Sequence, residues 1–238
     1  MQTYMLLTGA SSGIGKAIAA NLAHSYSLIL CAKDNDRLKS TLQSLDNPQN
    51  HKILTCDLSN IQSTEKSIQN LLKEIKIQGF IHCAGINYVS YAKNFNYNEM
   101  LDCANVNLYS AMAINKYLLK KNARENLKNI IFISSISSQK CEVGDGFYAS
   151  TKAGLDAYMK SLSLELAPNI KVNSILPGTI FETKMGTLIY NEEQKQKTLK
   201  KYPLGEGKCQ DIAEGVNFLL HSRWISGQEL IIDGGYST

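Results

Sequence analysis

The sequence predicts an α/β chain built on one doubly wound, seven-stranded parallel sheet with helices on both faces. Three observations carry that prediction. Short apolar runs alternate with stretches of helical period, the pattern of strands joined by helical crossovers. Several runs are continuously apolar, as in Ile130-Ile131-Phe132-Ile133, which suits strands buried on both faces. No repeat, low-complexity tract or Pro/Gly-rich linker divides the chain, so its 238 residues suit a single domain.

The elements follow in order. Thr3–Leu7 is an apolar strand closed by Thr8-Gly9, and a helix of Gly13–His24 follows two serines. Ser27–Cys31 is the second strand, and Lys33-Asp34 ends it and opens a helix over Asp34–Leu45. The third strand is Lys52–Thr55, with a helix over Ser59–Lys76. The fourth, Gly79–Cys83, runs into Ala84-Gly85 and a long helix over Tyr97–Lys121. The fifth, Asn129–Ser134, is closed by serines, and a glycine-containing loop leads to a helix over Tyr148–Leu166. Lys171–Leu176 ends at Pro177-Gly178, and a helix over Gln210–Leu220 precedes the last strand, Glu229–Ile232. The stretch Glu182–Cys209 breaks the rhythm and is expected to form a lid over a substrate. Ligands are expected at the carboxyl ends of the strands.

Bulk properties narrow the function. The net charge of +4, from 25 basic and 21 acidic residues, is mild and calls for neither nucleic acid nor a membrane surface. Tyr4-Met5-Leu6-Leu7 is too short for a signal-peptide core or a spanning segment. Cys31, Cys56, Cys83, Cys103, Cys141 and Cys209 form no Cys-x-x-Cys pair, which fits reduced thiols and a cytoplasmic protein. His24, His51, His82 and His221 show no metal-ligand spacing and read as surface or satisfied core residues.

Two segments carry chemistry. A strand leads into Thr8-Gly9-Ala10-Ser11-Ser12-Gly13-Ile14-Gly15 and then a helix. Small residues there let backbone N–H groups and a helix N-terminus approach a pyrophosphate, and Ser11 and Ser12 add hydroxyls. At the other end, Tyr148 and Lys152 share a helix face four residues apart, behind Ser135. A nearby cation favours a phenolate, so Lys152 is expected to lower the Tyr148 pKa from its usual value of about 10. Ser134 is the alternative to Ser135 if the loop shifts by one residue. A second Tyr-x-x-x-Lys, Tyr117 to Lys121, has Ala104 in place of the serine and reads as ordinary helix surface.

These residues together resemble the short-chain dehydrogenase/reductase family over nearly the whole chain, which implies a Rossmann-type sheet and hydride transfer between a nicotinamide and a carbonyl or secondary alcohol. Gly9, Ser11, Ser12, Gly13, Ile14 and Gly15 match the family's cofactor turn, and Asp57 in Cys56-Asp57-Leu58 matches its adenine contact. Asn107, Ser135, Tyr148 and Lys152 match the catalytic set. The resemblance implies that Tyr148 protonates the substrate oxygen, Ser135 hydrogen-bonds it, Lys152 also binds the nicotinamide ribose, and Asn107 holds a water that relays protons to Lys152. Pro177-Gly178 with Thr183 matches the segment flanking the nicotinamide, and Asp233-Gly234-Gly235 the C-terminal segment. One position departs: Cys83-Ala84-Gly85 stands where the family has Asn-Ala-Gly. A buried, inert thiol is the expectation there.

The second strand ends with Lys33 and no acidic residue at Ala32, which favours NADP(H) over NAD(H), although Asp34 lies close by. No metal is expected. The chain most resembles 3-oxoacyl-acyl-carrier-protein reductases, with Lys116, Lys120, Lys121, Arg124 and Lys128 expected to offer positive charge near the site for an acidic carrier. Leu166–Lys171 lacks the arginine usual there, so a reductase of a sugar or other small carbonyl compound is the alternative. A non-catalytic cofactor-sensing module is a third reading, opposed by the complete catalytic set. The resemblance also implies a homotetramer or homodimer, with contacts through Tyr97–Lys121, Tyr148–Leu166 and the C-terminal segment.

Overall fold

The computed structural model describes residues 2–238. Seven strands form one parallel sheet in the order β3-β2-β1-β4-β5-β6-β7. They are β1 Thr3–Thr8, β2 Ser27–Ala32, β3 Lys52–Thr55, β4 Lys76–His82, β5 Asn129–Ile133, β6 Lys171–Pro177 and β7 Glu229–Ile232. The crossovers are helices α1 Gly13–Leu22, α2 Asn35–Gln43, α3 Ile61–Glu74, α4 Tyr97–Ala104, α5 Ser110–Leu118, α6 Lys121–Arg124 and α7 Gly146–Leu166. Helices α8 Lys184–Ile189, α9 Glu192–Leu199 and α10 Cys209–His221 follow. The order reverses between β1 and β4, which opens a crevice at their carboxyl ends.

Alternating side chains explain the two-faced sheet. Leu6, Ile29, Phe80 and Phe132 pack with Ile68 of α3, Ile114 of α5 and Met159 of α7. Their neighbours Leu7, Leu28, Ile81 and Ile131 face the other way, onto Ile18 of α1, Leu38 of α2 and Val216 of α10. Both layers exclude water, which is why the strands are continuously apolar.

Three expectations are corrected. The long helix expected over Tyr97–Lys121 is interrupted by a π-turn at Asn105–Tyr109, and α6 begins only after a break at Leu119-Lys120. Tyr117 is not surface: its ring is buried in the core and its hydroxyl donates to Oε2 of Glu65 at 3.3 Å. The basic cluster does not flank the strand ends that carry Ser135. Crossover helices run antiparallel to the strands, so α5 and α6 end at the sheet's amino edge. There the N–H of Lys128 donates to the carbonyl of Gln78 and that of Lys171 to the carbonyl of Lys128. Lys120, Lys121, Arg124 and Lys128 lie at that edge, and Lys116, one turn earlier, pairs with Glu65 at 2.7 Å.

Candidate active site

The glycine turn after β1 is shaped by close approach. Gly9 has φ +69°, and a Cβ there would lie 2.7 Å from the backbone nitrogen of Ala84, so only glycine lets the turn pack on the loop after β4. A Cβ on Gly15 would meet the Gly9 carbonyl oxygen at 2.1 Å, which tightens the turn into α1. Ser12 is the N-cap residue of α1, yet its hydroxyl makes no capping bond, leaving the helix start to an anion. Thr183 sits opposite: its methyl would be 3.3 Å from a Cβ on Gly13. The Pro177-Gly178 end of β6 is fixed by the bond from the Gly178 N–H to the Ile232 carbonyl. These residues fit a bound dinucleotide.

Beside the turn is a cavity of about 290 Å³ lined by Ser11, Ser12, Gly13, Lys16, Arg37, Ser40 and Thr41. Sequence reading missed Lys16 and Arg37, although Arg37 stands one helical turn beyond Lys33. Asp34 is turned away from this cavity's task, because it caps α2 by accepting the Arg37 N–H at 3.0 Å. Oδ1 of Asp57 accepts both the N–H and the hydroxyl of Ser59, at 3.0 and 2.9 Å. The backbone bond from Ser59 leads in holding that carboxyl below the usual range. Leu58 and Ala84 are buried on either side of this crevice.

Asn107, Ser135, Tyr148 and Lys152 all come from the carboxyl edge. Asn107 lies in the π-turn, a feature common at functional sites. Its Oδ1 accepts the Ile86 N–H at 2.9 Å, and its Nδ2 donates to the Ile86 carbonyl and to Oγ1 of Thr151, both at 3.0 Å. Nζ of Lys152 donates to the Ile133 carbonyl at 2.8 Å. A Cβ on Gly85 would be 3.4 Å from Nζ of Lys152 and 3.6 Å from Oδ1 of Asn107, so the two groups flank one gap above Gly85. The hydroxyl of Ser134 points away and donates to Oδ2 of Asp156 at 2.8 Å. Ser135 is the serine that reaches the Tyr148 phenol.

The electrostatics differ from the sequence expectation. Burial pushes the Tyr148 phenol above its usual range, and Asp145 adds to the rise, while Ser135 works against it. Burial also lowers the Lys152 pKa. Lys152 stands 5.6 Å from the Tyr148 ring centroid, and the protein's own groups do not lower the phenol as the sequence suggested. Burial pushes the Cys83 thiol up to about 12, which keeps it neutral.

His82, at the end of β4, is fully buried and joins the two halves of the site. The Thr8 hydroxyl accepts from the N–H groups of Cys83 and Ala84, so its own proton goes to Nδ1 of His82 at 3.0 Å. Nε2–H then donates to the Val106 carbonyl in the π-turn at 3.2 Å. Burial drives the His82 pKa down to about 3, so this ring is neutral.

Just before the segment expected to be a lid, Phe181 is buried and packs edge-on against Tyr190 of that segment at 5.3 Å, while Leu188 faces outward. The C-terminal segment meets its trailing end. The Tyr236 hydroxyl donates to Oε1 of Glu142 at 2.9 Å, Lys201 reaches the same oxygen at 3.1 Å, and the Tyr236 and Tyr202 rings stack at 4.9 Å. Lys140 donates to the Tyr236 carbonyl at 2.8 Å.

A family model described as enoyl-(acyl carrier protein) reductase matches residues 9–237. Carbonyl reductase family member 4 of Danio rerio is 32% identical, across 99% of this chain and 98% of that protein. The 3-oxoacyl-[acyl-carrier-protein] reductase FabG of Rickettsia bellii is 34% identical, across 97% of this chain and 95% of its own. Among solved structures, an actinorhodin polyketide ketoreductase with NADPH superposes with a TM-score of 0.91 at 25% identity, covering 100% of this chain and 98% of that one.

Proposed function

The chain belongs to the short-chain dehydrogenase/reductase family, NAD(P)-dependent oxidoreductases of carbonyl and CH–OH groups, and from that premise we propose that it reduces a carbonyl compound to a secondary alcohol with NADPH. The observation that carries this reading is the gathering of Asn107, Ser135, Tyr148 and Lys152 at the carboxyl edge of the sheet, in a chain whose glycine turn borders a separate cavity lined by Lys16 and Arg37.

Bound nicotinamide supplies the hydride. The backbone of Gly9–Gly15, with Ser11 and Ser12, holds the pyrophosphate at the start of α1. Asp57, Leu58 and Ala84 would line the adenosine side, Gly85 would lie beneath the cofactor next to Lys152, and Pro177, Gly178 and Thr183 would flank the nicotinamide. Lys16, Lys33 and Arg37 favour a 2′-phosphate. Tyr148, kept protonated by burial, gives its proton to the substrate oxygen, which Ser135 also hydrogen-bonds. Lys152 returns a proton across the gap that Asn107 flanks.

The named relatives support a 3-oxoacyl thioester on an acyl carrier as substrate. A second reading, a small polar carbonyl compound such as a sugar, is favoured by a rim rich in acceptors. Glu142, Asp145, Asn87 and Ser137 gather beside Tyr190. In either case residues 182–209 form the lid, and the enzyme works in the cytoplasm as a homotetramer or homodimer. Exposed Tyr97 and Leu101 on Tyr97–Lys121, and Leu164 on Tyr148–Leu166, support subunit contacts.

The test is NADPH oxidation with a short 3-oxoacyl thioester and with small hydroxy-carbonyl compounds, beside NADH. We expect Tyr148→Phe to lose about 10³-fold in kcat while binding NADPH normally. Turnover unchanged in that variant would overturn the mechanism. Reduction of hydroxy-carbonyls but not of the thioester would select the second substrate class.

A further inference from the structure

Asp145 stands three residues before Tyr148, at the start of α7, yet its side chain makes no capping bond to that helix. Its carboxylate bridges two loops. Oδ1 accepts from Nδ2 of Asn87, in the loop after β4, at 2.7 Å. Oδ2 accepts from the Ser137 hydroxyl, in the loop after β5, at 2.9 Å. Ser137 donates its own N–H to Oγ of Ser135 at 3.1 Å. Asn87 follows Ile86, whose N–H and carbonyl are both held by the Asn107 amide. One carboxylate thus ties the loop that carries Ser135 to the loop that Asn107 braces. Bonds to a charged acceptor are roughly twice as strong as neutral ones, so this bridge is a stiff one.

The surroundings of the Tyr148 phenol give that charge a second consequence. The groups that act on it are Ser135 from the loop after β5, Cys83 from the loop after β4, Cys103 from α4, and Asp145 itself. Lys152 lies one turn further along α7, with Asp156 beyond it. Burial keeps both thiols neutral, Cys83 at about 12 and Cys103 raised as well. Among the described residues acting on the phenol, Asp145 is therefore the anion, set against the Lys152 amine.

We propose that Asp145 is a positioning residue of this active site, its carboxylate bridging the Ser135 and Asn107 loops three residues ahead of Tyr148. The proposal rests on the reductase reading, in which Tyr148 must be protonated to act. A carboxylate near a phenol raises the energy of the phenolate. Burial acts in the same direction and is the larger effect, and Asp145 adds to it. The resting phenol is thereby held in the protonated form from which reduction starts, and the phenolate from which alcohol oxidation starts is disfavoured.

Two variants separate charge from bridge. Asp145→Asn removes the charge in nearly the same shape. Asn87→Ala opens the bridge and leaves the charge. The pH dependence of kcat/KM for carbonyl reduction is measured for both beside the parent. In Asp145→Asn the alkaline limb moves down by about one pH unit, and the acid limb of alcohol oxidation moves with it. In Asn87→Ala the limbs stay in place and KM rises. NADPH affinity is unchanged in both and reports that they are folded. A limb that does not move in Asp145→Asn, or moves up, overturns the proposal, as does an equal shift in Asn87→Ala. The phenol is also titrated directly by ultraviolet difference absorbance, with Tyr148→Phe as the blank. That titration needs no turnover: a chain that reduces no carbonyl offered sinks the reductase reading, while a lowered phenol pKa in Asp145→Asn still supports the proposal.

Discussion

The two halves of the crevice are built differently. The half formed by β1, β2 and α1 is a backbone construction, in which Gly9 and Gly15 allow approaches that any side chain would block, and the start of α1 carries no side-chain cap. The half formed by the β5–α7 loop, residues 182–209 and the C-terminal segment is a side-chain construction. Glu142, Lys201 and Tyr236 meet there from segments far apart in sequence, and Asp145 ties Asn87 to Ser137. On the proposed reading, a cofactor shared by many enzymes is met by a rigid local turn, and a substrate that differs between enzymes by an assembled rim.

His82 is where the halves are pinned together, so it is the sharpest place to break the contrast. Its pKa falls from an ordinary 6.5 to about 3 in the folded chain. The unfolded chain therefore binds the extra proton between those values, and folding loses stability as pH falls through that window. The contribution is complete above pH 6.5 and costs about 1.4 kcal/mol per unit below it, about 5 kcal/mol in all. His82→Gln keeps a donor for the Val106 carbonyl and does not titrate. Urea unfolding at neutral pH and at about pH 5 is expected to show the parent losing about 2 kcal/mol more than the variant. Equal acid losses would mean that the ring is not the pin.

Arg37 asks whether the cofactor half is backbone alone. If its guanidinium meets a 2′-phosphate in the cavity beside Lys16, Arg37→Ala should raise KM for NADPH by about 10- to 100-fold, the loss of one charge-assisted contact, and leave NADH unchanged. Equal effects on both cofactors would assign Arg37 to general binding and return the cofactor preference to Lys33.

The same contrast explains what could be read in the sequence. The parallel sheet was legible because its inner strands are largely apolar and buried on both faces. The edge strands Lys52–Thr55 and Glu229–Ile232, only partly buried, also match residue for residue, as short apolar runs set off by polar neighbours. The glycine turn was legible because its constraint is steric and local. The π-turn was not: Asn105–Tyr109 keeps helical period, and the extra residue shows only in the bonding of Ser110 to Asn105. The rise in the Tyr148 pKa was missed because burial depends on the whole fold, whereas the Lys152 spacing is visible in the chain. The basic cluster was misplaced because charge in sequence does not reveal which end of a crossover helix carries it.

Tyr236 tests the side-chain half with the smallest change. Its phenol is pushed up, by burial first and then by its bond to Glu142, so at neutral pH it is a neutral donor. Burial alone would raise the Glu142 pKa, but the bonds from Lys201 and Tyr236 outweigh it and hold the carboxyl low. Tyr236→Phe removes one hydroxyl and keeps the ring stack on Tyr202 and the Lys140 contact. The loss is one hydrogen bond to a charged group, about 1.5 kcal/mol at most after solvent competes for an exposed pair. Because the bond joins the loop before Tyr148 to the C-terminal segment, which stacks on Tyr202 of the 182–209 segment, the loss should appear as a several-fold rise in substrate KM. Values of kcat and NADPH affinity should hold. A fall in kcat instead would mean that the rim reaches the proton transfer itself, and the division between a backbone-built cofactor half and an assembled substrate half would have to be redrawn around Tyr148.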